Sequence, residues 1–235
     1  MRATVKETRE VAKGTRLVVF DLNGEHWDYH PGQYFWVELD NVGLDDEKGL
    51  RRHISIVTSP TEHGVMGLCT RLRDTAFKQT LARLAVGDEA EVEEPKGDYA
   101  LPGDTSRPYV FVAGGIGITV FRSMLRWIAD TSQPYRITLV YSNRDRESTA
   151  FLDELQELEQ AIPGFKTVLT MTDDDGWDGE SRRVDADFLR EHLGDLAEAT
   201  YLVAGPPGMV EAVAEQLAEA GVPDEQVLPS RFAGY

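Results

Sequence analysis

Hydrophobic and polar positions follow two different patterns in the two halves of the chain. From Ala3 to about Leu101 they alternate in short runs, which are TRLVVFDL, QYFWVELD, RHISIVTS and DEAEVEEP. The turn sequences that separate these runs are NGEH, HPGQ, VGLDDEKG and EHG. Alternation with period two is typical of antiparallel strands that bury one face. One helical segment, AFKQTLARL, interrupts them, with Asp74 or Thr75 as its N-cap. The first half therefore predicts a small antiparallel β-barrel, with a sandwich as the alternative.

The second half predicts a parallel sheet. After a linker at residues 102–107, apolar strands each precede a helical segment, and the strands are YVFVAG, RITLVYS, FKTVLTM and TYLVAG. The helical segments are FRSMLRWIAD, AFLDELQELEQ, ADFLREHL and MVEAVAEQLAEA. Strands that alternate with helices predict a parallel sheet with right-handed crossovers, and a ligand at the carboxyl ends of its strands. We expect two domains, residues 1–103 and residues 104–235.

Composition excludes several classes of function. The formal charge is -17, from 24 basic and 41 acidic residues, and such a surface disfavours binding to nucleic acid or an anionic membrane. The single cysteine, Cys69, excludes both an intrachain disulfide and an iron-sulfur cluster held by four cysteines. The five histidines lack zinc-ligand spacing, so we expect no metal site. There is no run of about 18 apolar residues and no signal peptide, which predicts a cytoplasmic protein.

The stretch VFVAGGIGITVFRSML begins the second domain and is its most informative segment. Glycines at Gly114, Gly115 and Gly117 allow a backbone to approach a pyrophosphate, and the N–H groups at the start of the following helix bind its charge. Thr119 adds a hydroxyl, whereas Val120 stands where the G-x-G-x-x-G pattern has its third glycine. Taken alone, the stretch fits a tight turn between packed elements as well as it fits phosphate binding.

Several motifs, taken in order, resemble the ferredoxin-NADP reductase superfamily over nearly the whole chain. PGQY, RRHISIVTSP and TRLRDTAFK resemble its P-G-Q-[FY] strand entry, its flavin-binding R-x-[YF]-[ST] motif and its G-x-x-S helix start. AGGIGITV, VAGPPGM and SRFAGY resemble its A-G-G-x-G-[IV]-[TA]-P loop, its C-G-P-P-x-M turn and its E-x-F-x-G-Y tail. The resemblance implies a flavin in the β-barrel domain and NADPH or NADH on the α/β domain.

The resemblance also implies a role for each residue of the flavin motif. Arg52 pairs with flavin phosphate, Ile54 covers the isoalloxazine ring where the family has an aromatic residue, and Ser55 forms a hydrogen bond near flavin N5. A register shifted by one residue would restore an aromatic ring at His53, but it would put Ile54 in the place of the hydroxyl and invert the faces of the strand, so we keep the serine register. The helix start predicts an anion site formed by Thr75, Ala76, Phe77 and Lys78.

On the second domain the resemblance implies a site for the nicotinamide dinucleotide. Its pyrophosphate lies on the loop formed by Gly114, Gly115, Gly117 and Thr119. Ser142 and Arg144 suit a 2'-phosphate and favour NADPH slightly over NADH. The turn at Gly205 and Pro206 forms the pocket floor, with Ala204 where the family has a cysteine, and Tyr235 covers the flavin. The residues implied next to the reacting atoms are Ser55, Thr119 and Tyr235.

We therefore predict an oxidoreductase that passes hydride from NAD(P)H to flavin N5 and electrons on to a separate acceptor. FAD is the expected flavin, with FMN as the alternative. A ferredoxin, a flavodoxin, free flavin, quinone and oxygen all remain open as acceptors. The alternative function is a nucleotide-binding or electron-transfer subunit of a larger redox complex without turnover of its own, which would account together for the departures at Ile54 and Ala204 and for the altered tail, where Ser230 stands in place of the glutamate.

Overall fold

The computed structural model describes residues 1–40 and 49–232. The N-terminal strands are β1 (Arg2–Ala12), β2 (Thr15–Asp21), β3 (Tyr34–Leu39), β4 (Arg51–Ser55), β5 (Val65–Arg71) and β6 (Glu89–Val92), and helix α1 (Ala76–Arg83) connects β5 to β6. They form one antiparallel sheet in the order β4-β3-β6-β1-β2-β5. The predicted antiparallel domain is confirmed, and the predicted turn VGLDDEKG lies outside the described residues apart from Gly49.

The two edge strands of this sheet approach each other. Just beyond the end of β4, the Val57 N–H donates to the carbonyl oxygen of Gly67 on β5 at 2.9 Å. The Gly67 N–H in turn donates to Oγ1 of Thr58 at 3.0 Å. These bonds bring the edges together, so the sheet curls in the way that a small barrel requires.

Strands β2 and β5 are buried on both faces. Val18 and Phe20 of β2 belong to the core of the first domain, whereas Leu17 and Val19, which alternate with them, belong to a core that continues into the second domain. Cys69 of β5 lies in the same continuous core. Because both faces are apolar, β5 lacks the alternation that marks a half-buried strand, and no sequence pattern predicted it.

The second domain contains a five-stranded parallel sheet in the order β11-β10-β7-β8-β9, and its strands are β7 (Tyr109–Gly114), β8 (Ile137–Asn143), β9 (Phe165–Met171), β10 (Thr200–Gly205) and β11 (Val227–Arg231). Its helices are α2 (Ile118–Thr131), α3 (Leu152–Ala161), α4 (Ala186–Leu193) and α5 (Pro207–Glu219). The predicted α/β domain is confirmed. The edge strand β11 was not predicted, because Pro229 interrupts a short run, and an edge strand is where a sheet tolerates proline.

The segment between Val92 and Tyr109 contains no helix and no named strand. The boundary predicted at residues 103 and 104 falls inside it and stays a prediction. The core described above crosses from one domain to the other, so the two domains share buried apolar surface.

The helices are short. The longest in the described part of the chain, α2, has 14 residues, whereas a span of the bilayer needs about 20 apolar residues. None of the helices within residues 1–40 and 49–232 is long and apolar enough to cross a membrane.

Candidate functional site

A cavity of about 510 Å³ lies between the two domains. The first domain contributes β4, the end of β5 and the start of α1, and the second contributes the loop after β7, the turn after β10 and the end of β11. The cavity therefore opens at the carboxyl ends of the parallel strands, where α/β sheets bind ligands. Its volume falls within the range of about 300–1,000 Å³ that is usual for small-molecule sites.

Strand β4 forms one wall, and all four residues of the predicted flavin motif line the cavity: Arg52, His53, Ile54 and Ser55. Tyr34 of β3 pairs with Ser55 across the strands and also lines the cavity. The centre of the His53 ring lies 5.2 Å from the centre of the Tyr34 ring and 5.0 Å from that of the Trp36 ring. Burial lowers the pKa of His53. The wall thus has aromatic surface beside Ile54, although Ile54 itself has none.

Arg52 is held firmly in this wall. It is 6% exposed, and its Nη1 donates to the carbonyl oxygens of Gly49 and Arg51, each at 2.8 Å. Its guanidinium carbon lies 5.5 Å from the centre of the Phe77 ring. Packing and backbone acceptors therefore fix the guanidinium, which reduces the conformational entropy lost when it binds an anion.

Positive charge is concentrated around the cavity. Arg71, Arg73 and Lys78 also line it, and within the described ranges no carboxylate forms an ion pair with any of the three. The chain as a whole has a formal charge of -17, so uncompensated cations in one cavity are unusual for it. Guanidinium and ammonium groups without carboxylate partners favour an anionic ligand such as a phosphate.

Helix α1 begins at this cluster of cations. Thr75 is its N-cap, with Oγ1 accepting a hydrogen bond from the Lys78 N–H at 3.4 Å, so the structure selects Thr75 over Asp74. Phe77 and Lys78 line the cavity, whereas Thr75 and Ala76 lie just outside its lining. The unsatisfied N–H groups of the first turn and the positive end of the helix dipole add to the positive potential.

The glycine loop after β7 forms the opposite wall, where Gly114, Gly115 and Ile116 line the cavity. Gly115 has a φ of +50°, a conformation that favours glycine. Arg71 of β5 reaches across to this loop: its Nη2 lies 3.7 Å from where a Cβ would stand on Gly115 and donates to the carbonyl oxygen of Ser148 at 3.4 Å. One cation of the first domain thus faces the loop predicted to bind pyrophosphate.

Two residues predicted in this loop do not reach the cavity. Gly117 is buried against β10, since a Cβ there would lie 2.2 Å from the carbonyl oxygen of Ala204. Thr119 is 1% exposed, and its hydroxyl donates to the carbonyl oxygen of Ile116 at 3.1 Å. Helix α2 has no side-chain cap. The hydroxyl of Thr119 therefore stabilises the loop, because its hydrogen bond to Ile116 connects the start of α2 to the loop backbone.

The turn after β10 closes the same side of the cavity. Pro206 and Pro207 line it, whereas Gly205 is buried with its Cβ position only 3.1 Å from the backbone of Gly114. Phe232 also lines the cavity, and its N–H donates to the carbonyl oxygen of Gly205 at 2.9 Å. The predicted lid, Tyr235, lies outside the described residues.

Ser142 and Arg144 stand apart from the cavity, at the carboxyl end of β8. Ser142 is half-buried and Arg144 is exposed. Both acids near Arg144 have other partners: Asp145 accepts a hydrogen bond from the Ser148 N–H at 2.8 Å, and Glu147 pairs with Lys13 at 2.8 Å. The guanidinium of Arg144 is therefore open to solvent beside the sheet edge.

The structure thus brings together the flavin motif, the start of α1, two loop glycines and Pro206. Ser142 and Arg144, the residues predicted to bind a 2'-phosphate, lie outside the cavity along the same sheet edge. Tyr34 and Ile116 had no ligand-binding role in the sequence interpretation. Strand pairing is the signal that would have found Tyr34, because a residue opposite Ser55 on the neighbouring strand shares its surroundings.

The residues present fit a phosphate-containing flavin and a dinucleotide. Cations and a helix start lie on one side of the cavity and a glycine loop with a positive φ on the other, as two phosphate-bearing groups would require. The described residues contain no cluster of three or more His, Cys, Asp or Glu side chains that could hold a metal ion.

Comparison with known proteins identifies both domains. A family model described as an oxidoreductase FAD-binding domain matches residues 2–100, and one described as an oxidoreductase NAD-binding domain matches residues 111–215. The chain is 28% identical over 202 residues to reductase component 2 of terephthalate 1,2-dioxygenase from Comamonas sp, covering 85% of this chain and 58% of the relative. It is 32% identical over 168 residues to methane monooxygenase component C of Methylosinus trichosporium, covering 71% of this chain and 47% of the relative. The chain thus spans about half the length of these relatives.

Solved structures share the fold. The FAD/NAD-binding domain of nitric oxide dioxygenase from Vibrio cholerae matches with a TM-score of 0.88 at 20% identity, covering 99% of this chain and 98% of that one. A ferredoxin NADP+ reductase from Neisseria gonorrhoeae, solved with bound FAD and NADP, matches with a TM-score of 0.82 at 18% identity and covers 98% of both chains. With an FAD-binding domain and an NAD-binding domain matched in this order over most of its length, the chain belongs to the ferredoxin-NADP reductase superfamily of flavin-dependent NAD(P)H oxidoreductases.

Proposed function

We propose that this protein oxidises NAD(P)H with a bound FAD and transfers the electrons to a separate acceptor. The observation that supports this most directly is the cavity between the domains, where Arg71, Arg73 and Lys78 of the FAD-binding domain have no carboxylate partner among the described residues and the NAD-binding domain contributes a glycine loop. A bound flavin would supply the chemistry for accepting a hydride from the nicotinamide and for releasing electrons singly or in pairs.

The FAD-binding domain supplies the phosphate contacts. Arg52, Lys78 and the first N–H groups of α1 bind the flavin pyrophosphate by charge and hydrogen bonds. Ser55 supplies a hydroxyl beside the ring, and Ile54 with Tyr34 covers it. The apolar side chains in this wall exclude water from the reacting atoms.

The NAD-binding domain supplies the second group of contacts. The backbone at Gly114 and Gly115 approaches the dinucleotide pyrophosphate, and Arg71 neutralises its charge from the opposite domain. Gly117 and Thr119 hold this loop in shape instead of touching the ligand. Pro206 and Phe232 close the cavity around the nicotinamide end.

Anaerobic titration tests the proposed function. The purified protein is expected to be yellow, and stoichiometric NADPH is expected to bleach its flavin absorbance within seconds. A yellow protein that neither NADPH nor NADH bleaches, or a colourless one that binds only nucleotide, would support the alternative of a subunit without turnover. Identification of the released flavin by mass distinguishes FAD from FMN.

NADPH is the proposed donor, because Arg144 is exposed while the acids beside it have other partners. Arg144→Ala is expected to raise KM for NADPH about tenfold and to leave KM for NADH unchanged, since only NADPH has the 2'-phosphate. Steady-state kinetics with both nucleotides measure this difference. Arg136→Ala, which removes the same charge at the other end of β8, is the matched control. An equal rise for both nucleotides would remove the 2'-phosphate assignment.

Lys78 makes FAD binding depend on pH. Its side chain is 7% exposed, and burial, followed by Arg73 and Arg52, lowers the pKa of Lys78 to about 8. Bound phosphate favours the charged amine, so binding above this pKa requires uptake of a proton and the affinity falls as pH rises through 8. The apoprotein is expected to bind FAD about fivefold to tenfold more weakly at pH 9 than at pH 7, measured by quenching of flavin fluorescence.

Two variants serve as controls for this pH effect. Lys78→Arg keeps its charge over the whole range, so its FAD affinity is expected to be flat between pH 7 and pH 9. The FAD affinity of Lys78→Met is expected to be low and independent of pH over the same range. A decline that persists unchanged in Lys78→Met would assign the pH dependence to another group.

The acceptor is proposed to be a small electron-carrier protein or a small molecule such as a quinone, and the protein to act in the cytoplasm. The names of two relatives, a reductase component of a dioxygenase and a component of methane monooxygenase, support a role as the reducing partner of another protein. Reduction of a panel of carriers by the NADPH-treated protein would identify the acceptor by the ratio of the rates.

A further inference from the structure

An ion cluster at the domain interface lies outside the cavity lining. Arg122 of α2, whose side chain is 13% exposed, contacts Oε2 of Glu62 at 2.6 Å and Oε1 of Glu154 at 2.9 Å. Its Nη1 also donates to the carbonyl oxygen of Val57 at 3.0 Å. One guanidinium on the NAD-binding domain therefore binds a backbone group and a side chain of the FAD-binding domain, as well as the neighbouring helix α3.

The next residue of α2 adds a second bond to the same segment. The hydroxyl of Ser123 donates to the carbonyl oxygen of Thr58 at 2.6 Å, and both residues are buried. The FAD-binding domain holds Thr58 from its other side, since Oγ1 of Thr58 accepts from the Gly67 N–H at 3.0 Å and the Tyr29 hydroxyl donates to the Thr58 carbonyl at 3.1 Å. The backbone at Val57 and Thr58 is thus fixed between the two domains.

The place of these contacts along the chain gives them their significance. Val57 lies two residues after Ser55, which is part of the cavity wall on the FAD-binding domain. Helix α2 begins directly after the glycine loop that forms the other wall. We propose that Arg122 is a positioning residue that fixes the distance between these two walls through Val57, Glu62 and Glu154. This inference rests on the proposed function, because the walls matter for hydride transfer only when they hold the two ring systems.

The energetics fit positioning better than stabilisation. Taking a guanidinium and two carboxylates out of water costs about as much as their attraction returns, so such a cluster adds little to stability compared with apolar residues of the same volume. It does select one arrangement of the domains, because only one arrangement satisfies all its bonds. A shift of about 1 Å between reacting groups can slow a reaction about 100-fold.

Removing Arg122 alone would leave Glu154 without its cation and Glu62 with only the Ser59 N–H as a partner, and two partly buried carboxylates without a counter-charge are expected to destabilise the fold for that reason alone. The test therefore uses the triple variant Glu62→Gln, Arg122→Met and Glu154→Gln, which leaves no stranded charge. Flavin content and the Kd for NADP+ are expected to stay within about twofold of wild type. The limiting rate of flavin reduction at saturating NADPH is expected to fall about 10- to 100-fold.

A second readout follows the domains themselves. Spin labels on Val86→Cys in the FAD-binding domain and Glu215→Cys on α5 report the distance between the domains, and the buried Cys69 stays unlabelled. The distance distribution from pulsed electron resonance is expected to broaden in the triple variant. Arg126→Met is the matched control, since Arg126 lies on the same helix and pairs with Asp130 within that helix, at 3.2 Å.

Three results would overturn the proposal: an unchanged rate with an unchanged distance distribution, a parallel loss of flavin and of folding, or an equal effect of Arg126→Met. Arg122→Lys, which keeps the charge but replaces the planar fork of donors with a single nitrogen, is expected to give an intermediate rate. If NADPH fails to reduce the flavin of the wild-type protein, the proposed function fails, and the width of the distance distribution alone decides whether Arg122 holds the domains together.

Discussion

Arg52→Met is expected to give a folded protein that purifies without its yellow colour. The guanidinium lies in the β4 wall against Phe77 and is fixed by two backbone carbonyls, so it is preorganised for a phosphate. A hydrogen bond to a charged group contributes about 1.5–3 kcal/mol, which corresponds to a loss of about 10- to 100-fold in FAD affinity. The ratio of flavin to protein absorbance, and the Kd on reconstitution with FAD, measure the loss.

Methionine is a better replacement than alanine here. Arg52 is 6% exposed, so alanine would also remove buried packing and destabilise the fold. Arg51→Met is the control, because Arg51 is exposed, lies 4.1 Å over the Trp36 ring and pairs with Glu93. Wild-type flavin content in Arg52→Met would show that this arginine holds no flavin phosphate.

Gly117→Ala is expected to abolish most nucleotide binding while the flavin stays bound. The new Cβ would lie 2.2 Å from the carbonyl oxygen and 2.5 Å from the carbonyl carbon of Ala204. Strand β10 has a partner on each side, β7 and β11, so the glycine loop has to move instead. We expect a loss of about 1–3 kcal/mol in the free energy of unfolding and at least a tenfold rise in the Kd for NADP+.

Thermal denaturation and titration calorimetry with NADP+ measure these two effects. Gly208→Ala is the matched control, because nothing lies within 4 Å of its Cβ position and it stands in the first turn of α5. Alanine is favoured over glycine in a helix, so this control is expected to be neutral or slightly stabilising. Wild-type stability and nucleotide affinity in Gly117→Ala would mean that the loop is not packed against β10.

Much of the fold could be predicted from local pattern, and the exceptions have physical causes. Alternation predicted β2, β3, β4 and β6, and apolar runs followed by helices predicted four of the parallel strands. Strand β5 has no such signal, because Cys69 faces the second domain while Met66 and Leu68 face the barrel core. The fifth parallel strand was hidden by Pro229, which only an edge position tolerates.

The site was predictable where one short motif holds the chemistry. Arg52 and Gly115 could be recognised because charge and backbone freedom are properties of single residues. Tyr34 and Arg71 could not be placed, since their position depends on which strands pair and on how the two domains meet. The role of Thr119 could not be decided, because a threonine at a helix start has two acceptors within reach, the ligand and its own loop, and sequence alone does not separate them; in the structure its hydroxyl donates to the loop.

The apolar core that runs through both domains also restricts how this pair of domains can be recombined. A break anywhere in residues 93–108 would leave Leu17 and Val19 on one fragment and Phe111 and Phe121 on the other, each with a buried surface newly open to water. Neither fragment could be exchanged for a foreign counterpart without rebuilding that surface. The two domains therefore form a single unit for protein engineering, and a chimaera that joins one of them to a foreign domain has to redesign the faces of β2 and β5 that meet the second domain.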